Sequence, residues 1–207
     1  MRTPTRRLVA LLVVLSLVFG LAACSIGGSA KPPNRHFTPR PTTGLGRYLE
    51  TPPKYSVPGT TSWAKDYTPD LGQFVEHFYG PSVHKRATTT LQGQGLAEIA
   101  HIFWITDERV QSDLVLMRFD TEAGATARLR DVQTAASGDA NFTSYSIDAR
   151  GAPTVFYTKA TDADGNTGIR AYARWDNTII EMFVFSQTGL PKILVQRWLT
   201  TQIDMLP

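Results

Sequence analysis

The chain has 207 residues, and its 21 Lys and Arg against 18 Asp and Glu give a formal net charge of +3. Three of the basic residues, Arg2, Arg6 and Arg7, precede the first apolar run, and without them 18 basic residues balance 18 acidic ones. Because a neutral chain lacks the attraction that nucleic-acid binding requires, we expect no nucleic-acid partner. The single cysteine, Cys24, excludes a disulfide within the chain and a zinc site built from several cysteines.

The first 23 residues have the layout of a secretory signal peptide. The basic start is followed by an almost unbroken apolar run from Leu8 to Phe19, and Gly20 ends that run before a group of small residues. This segment is slightly shorter than the roughly 20 apolar residues that a membrane-spanning helix needs. We therefore interpret residues 1–23 as a signal peptide that is removed from the mature chain.

The run Leu21-Ala22-Ala23-Cys24 resembles the lipobox of bacterial lipoprotein signals, in which Leu, a small residue, and Ala or Gly precede the cysteine. The resemblance implies that the Cys24 thiol receives a diacylglyceryl group and that a peptidase cuts between Ala23 and Cys24. Two acyl chains suffice for stable anchoring, so the mature chain would lie on the outer face of the cell membrane. A plain signal peptide with a free cysteine and an uncleaved anchor helix are the alternatives.

The composition of residues 24–67 predicts a disordered stalk. Seven prolines stand among Thr and Gly residues with no helical period, and such a composition favours extended chain that buries no core. As a flexible coil, these residues would span roughly 35 Å. Six basic residues and one acid lie between Cys24 and Lys65. They would favour anionic lipid headgroups, although a solvated linker explains the same composition.

Residues 68–207 predict a single α+β domain. A helix begins after Thr68-Pro69-Asp70, because Thr and Asp suit a helix start and apolar residues follow at helical spacing. Apolar patterns then predict strands over 96–105 and 114–119, a helix over 120–136, strands over 142–148, 154–161, 168–175 and 178–186, and a helix over 190–205. This order predicts an antiparallel sheet of about five to six strands with helices packed on it.

The last two strands predict a candidate partner-binding face. Asp176-Asn177 is a tight-turn pair, and a two-residue loop places Tyr172 opposite Glu181 with Arg170 and Arg174 diagonal to it. Arginine and tyrosine are common at binding hot spots. A charge cluster satisfied within the domain is the alternative explanation for these four residues.

Patterns typical of catalysis or metal binding are missing from the sequence. None of the four histidines has a partner at a recognised ligand spacing, and His101, in a buried strand, is best explained as a core residue. The turn at 162–166 begins like a calcium loop, but Thr167 and Ala173 stand where that loop needs Gly and Glu. We therefore expect no catalytic residue, no metal and no cofactor.

Two runs, Arg118–Ala125 and Ala171–Ile180, resemble small actinobacterial surface lipoproteins and extracellular sensor-type domains. Some such domains share a sheet-and-helix sandwich with a Ran-binding nuclear import factor and an extrinsic photosystem protein. The resemblance implies an envelope role and transfers no catalytic residue. We expect a membrane-anchored extracytoplasmic lipoprotein that binds an envelope protein or a small-molecule ligand without catalysis. An envelope hydrolase and a carrier of a lipid or other apolar molecule are the alternatives.

Overall fold

The computed structural model describes residues 36–59, 67–106, 110–161, 165–187, 189 and 192–207. The predicted signal peptide, the lipobox with Ala23 and Cys24, and parts of the turns predicted near 106–111 and 162–166 lie outside these residues. Within the part of the chain that the structure describes, no helix is long and apolar enough to cross a membrane.

One antiparallel sheet of seven strands forms the centre of the fold, in the order β1-β2-β3-β7-β6-β5-β4. The strands are β1 (Val57–Pro58), β2 (Leu96–Ile105), β3 (Val110–Phe119), β4 (Phe142–Ser146), β5 (Thr154–Thr158), β6 (Thr167–Trp175) and β7 (Thr178–Ser186). The helices are α1 (Leu71–Phe78), α2 (His84–Gly93), α3 (Glu122–Ser137) and α4 (Lys192–Asp204). The α+β class is as predicted, but the strand count of five to six is wrong.

The additional strand is β1, a two-residue edge strand. Val57 pairs with Ile105 and Pro58 pairs with Trp104. A proline can join a sheet only where its missing N–H faces away from a partner, as at an edge. A pairing this short carries no alternating pattern, which explains why the sequence analysis did not find it.

The first face of the sheet is covered by residues 36–59, which we call the strap, and by α4. Leu45 and Leu49 of the strap are 2% and 0% exposed and share a core cluster with α4. Gln202 of α4 ties the two segments together. Its side-chain oxygen accepts from the backbone N–H of Glu50 at 2.8 Å, and its side-chain nitrogen donates to the backbone carbonyl of Tyr48 at 2.8 Å.

Over residues 36–59 the structure therefore differs from the predicted disordered stalk. Two leucines among prolines and glycines show no periodicity, yet burying each one stabilises the fold by about 1.5–3 kcal/mol. Of the predicted stalk, residues 24–35 and 60–66 lie outside the described part of the chain.

The second face of the sheet is covered by α1, α2 and α3. Asp70 caps α1 through a capping box with Gln73, two residues later than Thr68, the first candidate cap. Phe74, Val75 and Phe78 of α1 are buried with Leu91 of α2 in one core cluster, which confirms the predicted apolar face of the first helix.

Helix α2 was not predicted. It carries only two buried residues, Ala87 and Leu91, and its threonine run has weak helix propensity because β-branched side chains lose rotamer freedom in a helix. The helix is positioned instead by contacts with α1 and β2. Tertiary packing has overridden local preference here.

Candidate functional site

The β6–β7 hairpin places the four residues of the predicted binding face on one side of the sheet. Trp175 pairs with Thr178 and Tyr172 pairs with Glu181, as the two-residue turn predicts. Asp176 takes the left-handed conformation, with φ at 47°, that such hairpin turns require. The opposite side of both strands belongs to the first-face core, as expected.

Helix α3 covers the centre of this face. Tyr172 and Glu181 are only 3% and 2% exposed. Arg174 lies farther along β6, where its guanidinium reaches the carboxylate of Glu122 at 3.4 Å. Two of the four residues of the predicted face are therefore buried under a helix, as in the alternative of a charge cluster satisfied within the domain.

Glu181 is paired with an arginine of α3 that the sequence analysis did not single out. The Nε and Nη2 atoms of Arg128 each lie 2.7 Å from Oε1 of Glu181, and Nη1 donates to the hydroxyl of Tyr79 at 2.7 Å. The sequence does contain a feature that indicates this pair, because Arg128 lies three residues after Ala125 within the apolar stripe of α3. A charge in such a stripe needs a buried partner.

Burial controls the titration of this cluster. Desolvation raises the pKa of the Glu181 carboxyl, and the neighbouring Arg128 guanidinium opposes that rise. Desolvation also raises the pKa of the Tyr79 and Tyr172 hydroxyls. Both tyrosines are therefore neutral at physiological pH, and their hydroxyl groups remain able to donate hydrogen bonds.

Next to the ion pair, a pocket of about 180 Å³ opens between α2, α3 and the β6–β7 part of the sheet. Its lining includes the apolar side chains of Phe78, Leu91, Val132 and Phe183. A cavity of roughly 150 Å³ is enough to hold one benzene molecule. The pocket therefore suits a small molecule of about one ring and is too small for a lipid with two acyl chains.

The charges that line the pocket do not cancel. Three arginines, Arg86, Arg128 and Arg170, face two carboxylates, Asp131 and Glu181. Arg128 is neutralised by Glu181 in the floor. Neither Arg86 nor Arg170 forms a salt bridge with any residue that the structure describes.

Arg170 is held in place although it lacks such an acidic partner. It is half-buried, and its guanidinium carbon lies 4.6 Å from the centre of the Phe142 ring on the edge strand β4. In β6 it pairs with Phe156 on one side and Phe183 on the other. Aromatic side chains therefore surround a cation that lines an apolar pocket.

No histidine of the described part of the chain lines this pocket. His101 is 0% exposed, as expected of a core residue, and its Nε2 lies 2.8 Å from Oδ1 of Asp113. Burial lowers the pKa of the nearby His77, and the Asp113 carboxylate opposes that effect. None of these three residues lines the pocket. A polymer substrate could not reach the buried His101–Asp113 pair, so the pair does not support a hydrolase.

A second recess, of about 430 Å³, lies between the strap and the sheet. Its lining is mixed in polarity and includes Arg40, Glu50, Lys54 and Tyr67. Burial raises the pKa of Glu50 from 4.5 to about 7, and the Arg197 guanidinium opposes the rise. In the first pocket, by contrast, apolar side chains and charges converge from several elements, as is typical of small-molecule sites.

Among the described residues, no group of three or more His, Cys, Asp or Glu side chains is placed to hold a metal ion. The start of the loop that resembles a calcium site lies outside them.

Comparison with known proteins gives little further information. No family model matches the chain, and no curated protein matches its sequence. Among solved structures, the fold is similar to the extracellular domain of PknH from Mycobacterium tuberculosis, with 13% sequence identity, a TM-score of 0.41, and coverage of 56% of this chain and 67% of that one.

Proposed function

We propose that this chain is a membrane-anchored extracytoplasmic lipoprotein whose α+β domain binds a small ligand without catalysis. The observation that carries the ligand-binding part is the pocket between α2, α3 and the sheet, with its apolar walls and its buried Arg128–Glu181 pair. Preformed pockets with a few convergent polar groups are typical of small-molecule sites.

The anchoring part rests on the lipobox. Eleven residues, 25–35, separate Cys24 from the strap. A fully extended chain of that length spans about 40 Å at most, so a lipid on Cys24 would hold the domain close to the membrane. The small volume of the pocket favours a compact ligand over the transport of whole membrane lipids.

Replacing Cys24 with Ala tests the anchoring part. We expect the native protein to take up a radiolabelled or clickable fatty acid and to fractionate with membranes, and we expect the variant to do neither. A variant that still incorporates the label would show that the lipid is attached at a residue other than Cys24.

Thermal unfolding tests the binding part. A library of compounds of about one ring is screened against the chain from Ser25 to Pro207, which contains every core residue described above, and against its Ala135→Trp variant. Ala135 is exposed on α3 and lines the pocket, so the indole can fill the pocket without entering the core.

Ala123→Trp is the matched control, since Ala123 is exposed on the same helix but outside the pocket. We expect compounds that raise the Tm of the native chain and the control but not of Ala135→Trp. If no compound separates the two variants, the pocket is not a binding site.

A further inference from the structure

We infer that the ligand of this pocket is a small organic anion, whose carboxylate or phosphate group pairs with Arg170 and whose apolar body packs against Phe78, Leu91 and Phe183. This inference rests on the proposed function, because it names the chemical class of ligand for the same pocket. The two sources of such an anion, a carboxylic acid and a phosphate ester, share the chemistry that the arginine recognises.

The side chains that line the pocket carry a net positive charge. Once the Arg128–Glu181 pair is set aside, Arg86 and Arg170 remain against Asp131. Asp131 is itself engaged, since its carboxylate accepts from the Gln94 side chain at 2.7 Å. A ligand in this pocket therefore meets a net positive charge. Electrostatic attraction strengthens the binding of an anion but not that of a neutral molecule of the same shape.

The two arginines of the lining that form no salt bridge with a described residue, Arg86 and Arg170, differ in their exposure to solvent. Arg86 is exposed on α2, where water screens its charge and its interaction with a ligand is weak. Arg170 is half-buried and fixed against the Phe142 ring. A guanidinium held in one place binds a carboxylate or phosphate through two parallel hydrogen bonds, so Arg170 is the residue that recognises the anion.

Basic residues at the start of α2 add to the positive charge near the pocket. The first turn of this helix contains no acidic residue, and it carries His84, Lys85 and Arg86. Basic residues at a helix N-terminus add to the positive end of the helix dipole and destabilise the helix. Acidic residues in this turn would stabilise the helix, yet the sequence places basic residues there, next to the pocket.

The size of the pocket limits the rest of the ligand. A volume of about 180 Å³ holds roughly one aromatic ring or a short alkyl chain, by comparison with the ~150 Å³ cavity that accepts benzene. Matched pairs of such molecules exist in which only the charge differs. They make the inference testable without knowledge of the natural ligand.

The experiment uses nuclear magnetic resonance titrations of the chain from Ser25 to Pro207. The probes are phenylacetate with phenylacetamide, hexanoate with 1-hexanol, phenyl phosphate, and inorganic phosphate alone. We expect the shifts to concentrate on pocket residues. Phenylacetate and hexanoate should each bind about tenfold or more tightly than the neutral partner, as one charge-assisted hydrogen-bonded pair implies. Inorganic phosphate, which lacks an apolar body, should bind weakly.

Three variants identify the arginine responsible. Arg170→Gln should remove the preference for the anion and leave binding of the neutral probes unchanged. Arg170→Lys keeps the charge but loses the planar fork, so an intermediate preference is expected, and this milder change covers the case in which Arg170→Gln does not fold. Arg174→Gln is the matched control, because Arg174 lies on the same face of β6, outside the pocket, next to Glu122.

The outcomes separate this inference from the proposed function. If neutral probes bind in the pocket as tightly as the anions, the pocket is a binding site but the anionic class is wrong. If Arg174→Gln reduces anion binding as much as Arg170→Gln, the effect is one of net charge and the role of Arg170 is refuted. If no probe shifts pocket residues, the inference about the anion is wrong, whereas the proposed function is judged by the compound screen against Ala135→Trp. Binding of phenyl phosphate but not of the carboxylates, or the reverse, identifies the source of the anion.

Discussion

Glu50 of the strap provides the sharpest test of how the strap is packed. Its carboxyl lies in the strap recess, and its Oε2 atom is buried without a hydrogen-bond partner among the described residues. Burial raises the pKa of Glu50 from 4.5 to about 7. We predict that Glu50→Gln, which replaces the carboxyl with a neutral group of the same shape, stabilises the protein at neutral and basic pH.

The sign of the effect follows from the direction of the shift. The folded protein holds the proton on Glu50 more tightly than the unfolded chain does, so this proton stabilises the fold. That contribution is fully present below pH 4.5 and is lost as the pH rises toward about 7. The upper limit of the loss is about 3.4 kcal/mol, at about 1.36 kcal/mol for each tenfold change in proton affinity. Because Glu50 is only partly buried, solvent screening reduces the expected loss to about 1–2 kcal/mol.

The assay is urea unfolding of the native chain and the Glu50→Gln variant between pH 4 and pH 8, followed by the fluorescence of the buried tryptophans. The variant should match the native protein near pH 4 and exceed its free energy of unfolding by about 1–2 kcal/mol at pH 8, equivalent to a rise in Tm of about 2–8 °C. Glu76→Gln, at an exposed position of α1, is the control and should run parallel to the native profile. A Glu50→Gln profile that also runs parallel would refute the reasoning.

Three further predictions concern packing, and urea unfolding measures each of them. Leu49→Ala should cost about 2–5 kcal/mol because Leu49 is fully buried, whereas no change would mean that the strap does not belong to the fold. Arg128→Met should cost about 3–5 kcal/mol by leaving the buried Glu181 carboxyl without its ion-pair partner, and adding Glu181→Met should restore much of the loss; equal losses in the single and double variants would contradict this. Gly124→Ala should cost about 2 kcal/mol despite the higher helix propensity of Ala, since the new Cβ would lie 2.0 Å from the carbonyl oxygen of Gln94. A stabilised variant would show that the α3 start does not contact that carbonyl.

The sequence by itself determined the local structure of much of the domain. Alternation of apolar residues along β6 and β7 separated the core side from the side that carries Arg170 and Glu181, and the tight turn at 176–177 set which residues face each other. These properties depend on neighbours within a few residues, and the side-chain period of a strand leaves little freedom once one face is buried.

Only the tertiary structure decided what covers each face and which distant charges meet. Arg128 and Glu181 are 53 residues apart, and β3 pairs with β7 across a similar separation. No local pattern encodes such partners. Their pairing depends on how all the elements pack around one core. The same packing buries the strap leucines and places α2, a helix that the sequence did not predict, on the second face of the sheet. The pocket results from this tertiary packing, because the local sequence pattern does not determine which elements form its walls.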